Sequence, residues 1–442
     1  MPSFFMKTFA RSSLFFWLAF LSLTAFSEDK LTILSPHRQS MQDEYISRFK
    51  KHYLEQFKTE INVDWLDQGG SENDMKFIFQ KYKLNPASCG VDIFWGGGDM
   101  NFQILNQSQL LEPKTLSAQL QSEIPRTLLG APLHSENNTW HATALSSFGI
   151  FYNKRIFQIM KWQEPKTWED LANPAFVNMI SLTDLRRSST TLIINLTILQ
   201  SLGWKDGWRF LTLMAANAKS FSMSSSDPIK SVVEGDVAIT TAVDYFAYAK
   251  ILVLGEKNLG FVLPEGKTVF NADPVAILKG ASNRKEADRF IDFLLSVDGQ
   301  RLQILSKGAP QGPIHSDIAR MSINALAYEN LGNRKIDVLN PFKLPHNPFH
   351  IEAEKITKMR KVFSDLVGAI HIDTHKELKA AWNLILKSKD REKATAALTE
   401  PMITEQEFFR LTSSWDDSLV RNRMINEWVS KAKAHYSKAA SM

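Results

Sequence analysis

Short apolar runs alternate with longer stretches in which hydrophobic side chains recur every three or four positions, and this rhythm persists along most of the chain. Residues 31–34 are an apolar run closed by Ser35 and Pro36, after which Ile46, Phe49, Tyr53 and Phe57 share one helical face. Ile61, Val63 and Trp65 alternate as a strand does, Gly69 and Gly70 turn the chain, and residues 91–95 read as a buried strand closed by three glycines. A second series has strands at 148–152, 237–243 and 259–263, the start of a helix at 167–171 and the body of another at 193–202. Asn283 with Glu286 three residues on has the spacing of a capping box, and Ala287, Phe290, Ile291, Leu294 and Leu295 then fall on one face. Strand-helix-strand alternation of this kind predicts α/β architecture with a mainly parallel sheet.

The N-terminus departs from that rhythm. Lys7 and Arg11 are the only charges in the first 27 residues, residues 14–26 are apolar apart from Ser22 and Thr24, and Ala25-Phe26-Ser27 offers small residues at the cleavage-determining positions. An apolar stretch of about 13 residues falls short of the roughly 20 that span a bilayer, so residues 1–27 read as a cleaved signal peptide and the mature chain as beginning near Glu28. No cysteine lies near the cleavage point for a lipid anchor, and Cys89, the single cysteine, cannot form an internal disulfide. The composition is globular, 44% hydrophobic and 22% charged, and the net charge of +5 drops to about +3 once Lys7 and Arg11 leave with the signal. That balance argues against a nucleic-acid binder, which concentrates basic residues on one face.

Three phrases in order carry a family resemblance: Val91-Asp92-Ile93-Phe94-Trp95-Gly96-Gly97-Gly98, residues 140–154 (WHATALSSFGIFYNK) and residues 165–174 (PKTWEDLANP). Following an export signal, they resemble the extracellular solute-binding proteins of bacterial ABC importers, in the branch grouped with ferric-ion, sugar-phosphate and phosphonate binders. The resemblance covers residues 31–312 well. Beyond 341 it weakens to an expectation of helices, with Glu377-Leu378-Lys379-Ala380-Ala381-Trp382 the one familiar phrase. It implies a type II periplasmic-binding-protein fold, two α/β lobes joined by a hinge: residues 28–145 plus 272–335 in lobe one, and 146–271 plus 336–442, with C-terminal helices, in lobe two. The crossings would fall at 144–149 and 270–274.

Ligands of open α/β sheets bind beyond the carboxyl ends of strands, which directs attention to the loops. Gly96, Gly97 and Gly98 let backbone approach a ligand and present successive N–H groups as an anion nest, or simply make a tight turn. Trp95 is either a cleft wall or core packing. In the phrase DLRRSSTT (residues 184–191), Ser188, Ser189 and Thr190 precede an apolar helix, where hydroxyls and unpaired N–H groups gather at the positive end of a helix dipole, and Arg186 or Arg187 adds a fork for phosphate, phosphonate or carboxylate; ordinary capping is the alternative. Thr143, Ser146 and Ser147 sit at the first crossing, where they contact ligand or satisfy hinge backbone. Asp244-Tyr245-Phe246 is the most diagnostic phrase. Ferric binders of the resembled family place two adjacent tyrosines here, and this chain keeps only Tyr245. His37 and Asp99 complete a His/Asp/Tyr set that is chemically acceptable for iron. Tyr248 would face another direction unless its segment is helical.

The expected function is capture of a small solute, a phosphate- or phosphonate-bearing compound ahead of ferric ion, between two lobes in the periplasm, by a monomer that hands it to an inner-membrane permease. It requires no cofactor, ferric ion entering only as cargo. A subunit that reports solute to a sensor kinase would use the same cleft. An exported enzyme has little support, since neither a G-x-S-x-G elbow nor an H-E-x-x-H helix occurs.

Overall fold

The computed structural model describes residues 28–336, 338–344, 349 and 352–442; the expected signal peptide, residues 1–27, lies outside the described residues. Asp29–Leu34 (β1), Gln39–Phe57 (α1), Ile61–Leu66 (β2), Ser71–Leu84 (α2), Ile93–Trp95 (β3) and Asp99–Gln107 (α3) form three strand-helix units. β1 lies between β2 and β3, parallel to both. Leu111–Glu112 (β4), Ala118–Glu123 (α4) and a small hairpin of Thr127–Leu128 (β5) and Ala131–Pro132 (β6) lead into His141–Asn153 (β7). Every residue of β7 is buried, as a strand covered on both faces must be.

A second set follows: Lys154–Met160 (α5), Ile180–Thr183 (β8), Ser189–Leu202 (α6), Trp204–Asn217 (α7), Ala218–Ser222 (β9), Asp227–Glu234 (α8), Ile239–Val243 (β10), Asp244–Leu254 (α9), Leu259–Val262 (β11) and Phe270–Leu278 (β12). The strand order is β2-β1-β3-β12-β7-β10-β8-β9, with β4 on β12 and β11 on β7. β7 changes partners along its length. Residues 141–147 pair with β12, and residues 148–153 pair with β10 and β11. Gly149 sits just past that change, where a Cβ would come within 2.3 Å of the Val262 carbonyl oxygen.

The sheet is mixed rather than mainly parallel, because β7 and β12 run against the strands they touch. Two long antiparallel strands shared between two sets of parallel strands are what a chain needs in order to cross from one lobe and return.

Arg284–Leu295 (α10) and Val297–Arg301 (α11) pack back against the first lobe, where Phe290, Phe293 and Leu294 join Leu31, Phe49, Ile93 and Trp95 in one core. α10 forms where the periodicity places it, but without the expected capping box: the Asn283 amide and N–H both donate to Asp92 instead. The C-terminal helices Ala353–Val367 (α12), His375–Ile385 (α13), Arg391–Leu398 (α14), Glu405–Thr412 (α15) and Ser418–Ala440 (α16) add Phe363, Trp382, Phe408, Trp428 and Tyr436 to the second lobe's core, and the turn between α15 and α16 adds Trp415. Polar tips find partners there, Trp382 Nε1 donating to Asn217 at 2.9 Å and Trp415 Nε1 to Asp365 at 2.9 Å, as buried indoles usually must. No helix among the described residues is long and apolar enough to cross a membrane.

Candidate functional site between the lobes

Where the two sets of strands meet, a cavity of about 70 Å³ is lined by Gly97, Gly98, Asn101, Ser146, Ser189, Thr190, Tyr245, Asn271 and Asp273, with Met100, Phe148, Ile193, Val243 and Ala272 as its apolar wall. At the roughly 30 Å³ that a liquid water takes up, this is room for about two waters, enough for a small ion or one charged group of a larger molecule.

Three helices begin at this cavity: α3 at Asp99, α6 at Ser189 and α9 at Asp244. Their first N–H groups lack intrahelical partners, and their dipoles place partial positive charge there. The glycines explain how the backbone comes so close. Gly96, Gly97 and Gly98 all have positive φ (95°, 87° and 82°), and a Cβ would lie 2.6 Å from the His37 ring, 2.8 Å from Ser71 Cβ and 3.2 Å from the Asn271 amide, respectively. The conformation disfavours side chains at all three, and at Gly96 and Gly97 the space excludes them as well.

Beside the cavity lies a buried ionic network. Pro274 has no N–H to give to the ladder, and the register of β12 against β7 shifts between Asp273 and Pro274. Asp273 Oδ2 accepts from Arg320 Nη2 at 2.8 Å and from His37 Nε2 at 2.9 Å. The His37 backbone N–H donates to Ser35 Oγ, so the tautomer that serves both Ser35 and Asp273 has the Ser35 hydroxyl donating to Nδ1 at 2.8 Å and Nε2 carrying the proton, with Arg320 Nη1 3.2 Å from that nitrogen. Burial would raise the Asp273 pKa, but Arg320 and His37 outweigh it and hold the carboxyl well below the usual range. Burial lowers the pKa of His37 more than Asp273 raises it, keeping the ring neutral. Arg320 is only 3% exposed, its guanidinium carbon lies 5.2 Å from the centre of the Tyr245 ring, and its Nε has no partner among the described residues.

On the second lobe, Asp244 accepts from the Ser147 N–H and hydroxyl, both at 2.9 Å, and from the Tyr245 N–H at 2.7 Å. Burial still lifts its pKa to about 6 against those donors. Tyr245 is pushed up to about 12 by burial, so the phenol is protonated at neutral pH, and its hydroxyl has no hydrogen-bond partner among the described residues.

The structure brings together Gly97, Gly98, Ser146, Ser189, Thr190 and Tyr245 from the sequence candidates and redirects the rest. Gly96 backs onto His37 instead of the cavity. Trp95 is fully buried in the lobe-one core, its Nε1 donating to Thr143 at 2.9 Å, and does not wall the cleft. Ser188 caps α6 through Thr191 N–H and meets Ser225 at 2.7 Å. The Arg186 fork is taken by Asp184 and Asp373, at 2.7 and 2.9 Å, and lines a separate, outer chamber. Ser147 and Asp244 satisfy one another behind the cavity wall. The His37, Asp99 and Tyr245 set does not converge as a metal site: both His37 nitrogens are engaged, Asp99 accepts from Gln103 beside a neighbouring cavity, and no group of three His, Cys, Asp or Glu that could hold a metal occurs among the described residues. Tyr248, three residues on in α9, packs on Phe261 among Ile229, Val232 and Ile251 and does not line the cavity.

Five residues at the site escape sequence reasoning: Ser71, Asn101, Asn271, Asp273 and Arg320. A lone cation inside the apolar run Ile318-Ala319-Arg320-Met321 was a usable signal, since arginine is seldom buried without a partner. The amides and Ser71 carry none.

Residues 91–318, just over half of the chain, match the family described as bacterial extracellular solute-binding protein. The chain belongs to that family. This solute-binding protein thus comes from a family of binders, not enzymes. The phosphoglycerate transport regulatory protein PgtC of Salmonella typhimurium is 27% identical to it over 213 residues, 48% of this chain and 51% of that protein. Iron uptake protein A1 of Synechocystis is 26% identical over 196 residues, 41% and 52% of the two chains. The solute-binding protein spans about half the length of the curated relatives it matches. Among solved structures, the periplasmic binding protein AfuA from Actinobacillus pleuropneumoniae with fructose-6-phosphate bound gives a TM-score of 0.53 at 21% identity, over 62% of this chain and 82% of that one. Apo ferric ion-binding protein A from Pasteurella haemolytica gives 0.58 at 16% identity, over 79% and 98%. The fold is that of the two-lobed periplasmic binding proteins.

Proposed function

We propose that this is the periplasmic solute-binding component of an ABC importer, and that it captures a small anionic solute bearing a phosphate or phosphonate group between its lobes for delivery to a membrane permease. One observation carries the reading: the starts of three helices and a glycine backbone meet around a cavity sized for one such group, with Arg320 behind it. Helix N-termini with exposed N–H groups favour anions. The single ionised carboxylate lining the cavity, Asp273, is already matched by Arg320. Ferric ion fits less well, because an arginine packs against Tyr245, the only tyrosine lining the cavity among the described residues, and neither nitrogen of His37 is available. The PgtC relative, named for phosphoglycerate transport, supports the phosphorylated class. Closure is driven by contacts that the solute makes with both lobes at once.

The test is thermal unfolding against inorganic phosphate, phosphate esters, phosphonates and ferric citrate. A solute at 100 times its dissociation constant stabilises by about 2.7 kcal/mol. A shift with phosphorylated compounds supports the reading; a shift with ferric citrate alone refutes it. The word regulatory in the name of PgtC favours a second reading, presentation of solute to a membrane sensor kinase. Loss of solute uptake on deletion of the gene, against loss of a transcriptional response with uptake intact, separates the two.

A further inference from the structure

We propose that the site continues outward into a second subsite, and that the solute carries two anionic groups, the second held between Lys76 of one lobe and Arg187 of the other. This rests on reading the interlobe cavity as an anion site.

An outer chamber of about 690 Å³ is lined by Gly69, Gly70 and Lys76 from the first lobe and Asp184, Arg186 and Arg187 from the second. It adjoins the inner cavity along the chain on both sides. Gly70 precedes Ser71, Arg187 precedes Ser189 by two residues, and the hydroxyls of Ser71 and Ser189 meet at 3.1 Å across the lobes. The inner cavity, at about 70 Å³, accommodates one charged group and little more, so the remainder of any larger solute must lie elsewhere.

Charge accounting gives the chemistry of that remainder. Asp184 is matched by Arg186, which also holds Asp373, and Glu72, also on the chamber wall, is matched by Arg360 of α12 at 2.7 Å. Asp184, Asp373 and Glu72 set against Arg186, Arg360, Lys76 and Arg187 leave one net positive charge, and neither Lys76 nor Arg187 has an ion pair or a side-chain hydrogen bond among the described residues. One comes from each lobe, so closure gathers like charge around a common space, and an anion entering there removes the repulsion only in the closed arrangement. That is the differential contact a closing ligand requires. A second carboxylate or phosphate, a few bonds from the first anionic group, supplies it.

The matched probes are 3-phosphoglycerate and glycerol 3-phosphate, which differ by a carboxylate in place of a hydroxymethyl group, with inorganic phosphate as the single-group probe. Binding is measured by calorimetry on the parent protein and on the K76M/R187M double variant. Both side chains are exposed, so the variant's thermal midpoint serves as the check on folding. The parent should bind the phosphorylated acid at least about fivefold more tightly than glycerol 3-phosphate, an advantage that shrinks with added salt. The variant should lose that advantage while keeping its affinity for phosphate within about twofold. Phosphate binding without any preference for the acid, or a preference unchanged in the variant, overturns the second subsite and leaves the inner anion site standing. No binding of any of the three overturns both.

Discussion

Asp273 and Asp244 flank the interlobe cavity, one on the crossing strand β12 and one at the start of α9, and burial acts on them alike, yet they titrate in opposite directions. Asp273 faces Arg320 and the Nε2–H of His37 and is held well below the ordinary carboxylate range. Asp244 accepts three hydrogen bonds from neutral donors at the same helix end and still rises to about 6. Neutral donors soften desolvation; a full opposite charge at 2.8 Å reverses it. The consequences for stability are opposite in sign. Asp273 contributes stability present above its unfolded pKa of roughly 4 and lost as pH falls toward its depressed folded value. The contribution of Asp244 is fully present below the unfolded pKa and is lost as pH rises through about 6.

The sharpest way to break this contrast is Arg320→Met. It strands a buried carboxylate and should cost about 3–5 kcal/mol in urea unfolding at pH 7.5. His37 then becomes the one cation available to Asp273. Its folded pKa should rise above the unfolded value, and part of the loss should return at pH 5.5 and vanish again at higher pH. Equal destabilisation at both pH values would show that His37 does not respond to the uncompensated carboxylate. Next is Ser147→Ala, which removes a hydroxyl donor from Asp244. The deficit should reach about 1.5–3 kcal/mol at pH 8, where the carboxylate is ionised, and be smaller at pH 5. A pH-independent deficit would mean that Asp244 does not titrate in this window.

Much of the fold was legible from periodicity, because short buried strands and amphipathic helices leave local patterns: β1 to β3, α1, α6 and α10 lie where apolar spacing put them. Antiparallel pairing of β7 and β12 was not legible, since strand direction depends on which distant segment lies alongside. The same divide runs through the site. The glycine triplet and the hydroxyls before α6 announced themselves, while Trp95, Arg186 and Ser188 carried the right chemistry and were claimed by other partners.

Two smaller effects extend the comparison to less buried groups. Arg360→Ala breaks a pair whose side chains are 13% and 33% exposed, and with it a contact from the C-terminal helices on one lobe to α2 on the other. Stability should fall by about 0.5–1 kcal/mol and phosphate affinity by a few-fold in calorimetry, because closure loses one of its contacts; an unchanged affinity would assign the pair a purely structural role. Tyr245 touches both networks, its ring against Arg320 and its N–H on Asp244. Because its hydroxyl joins neither, Tyr245→Phe should change the unfolding free energy by no more than about 0.5 kcal/mol. A larger loss would mean that the phenol is part of the buried network.

By itself the sequence determined the α/β class, the resemblance to solute-binding proteins and the candidate anion loops, because apolar periodicity and conspicuous glycine and hydroxyl runs are local properties of the chain. Tertiary structure alone decided which charges meet. Asp273, His37 and Arg320 lie far apart in sequence, and only the crossing of two strands between the lobes brings them into hydrogen-bond range, where low dielectric and burial fix their protonation, while Lys76 and Arg187 keep no ion-pair partner among the described residues.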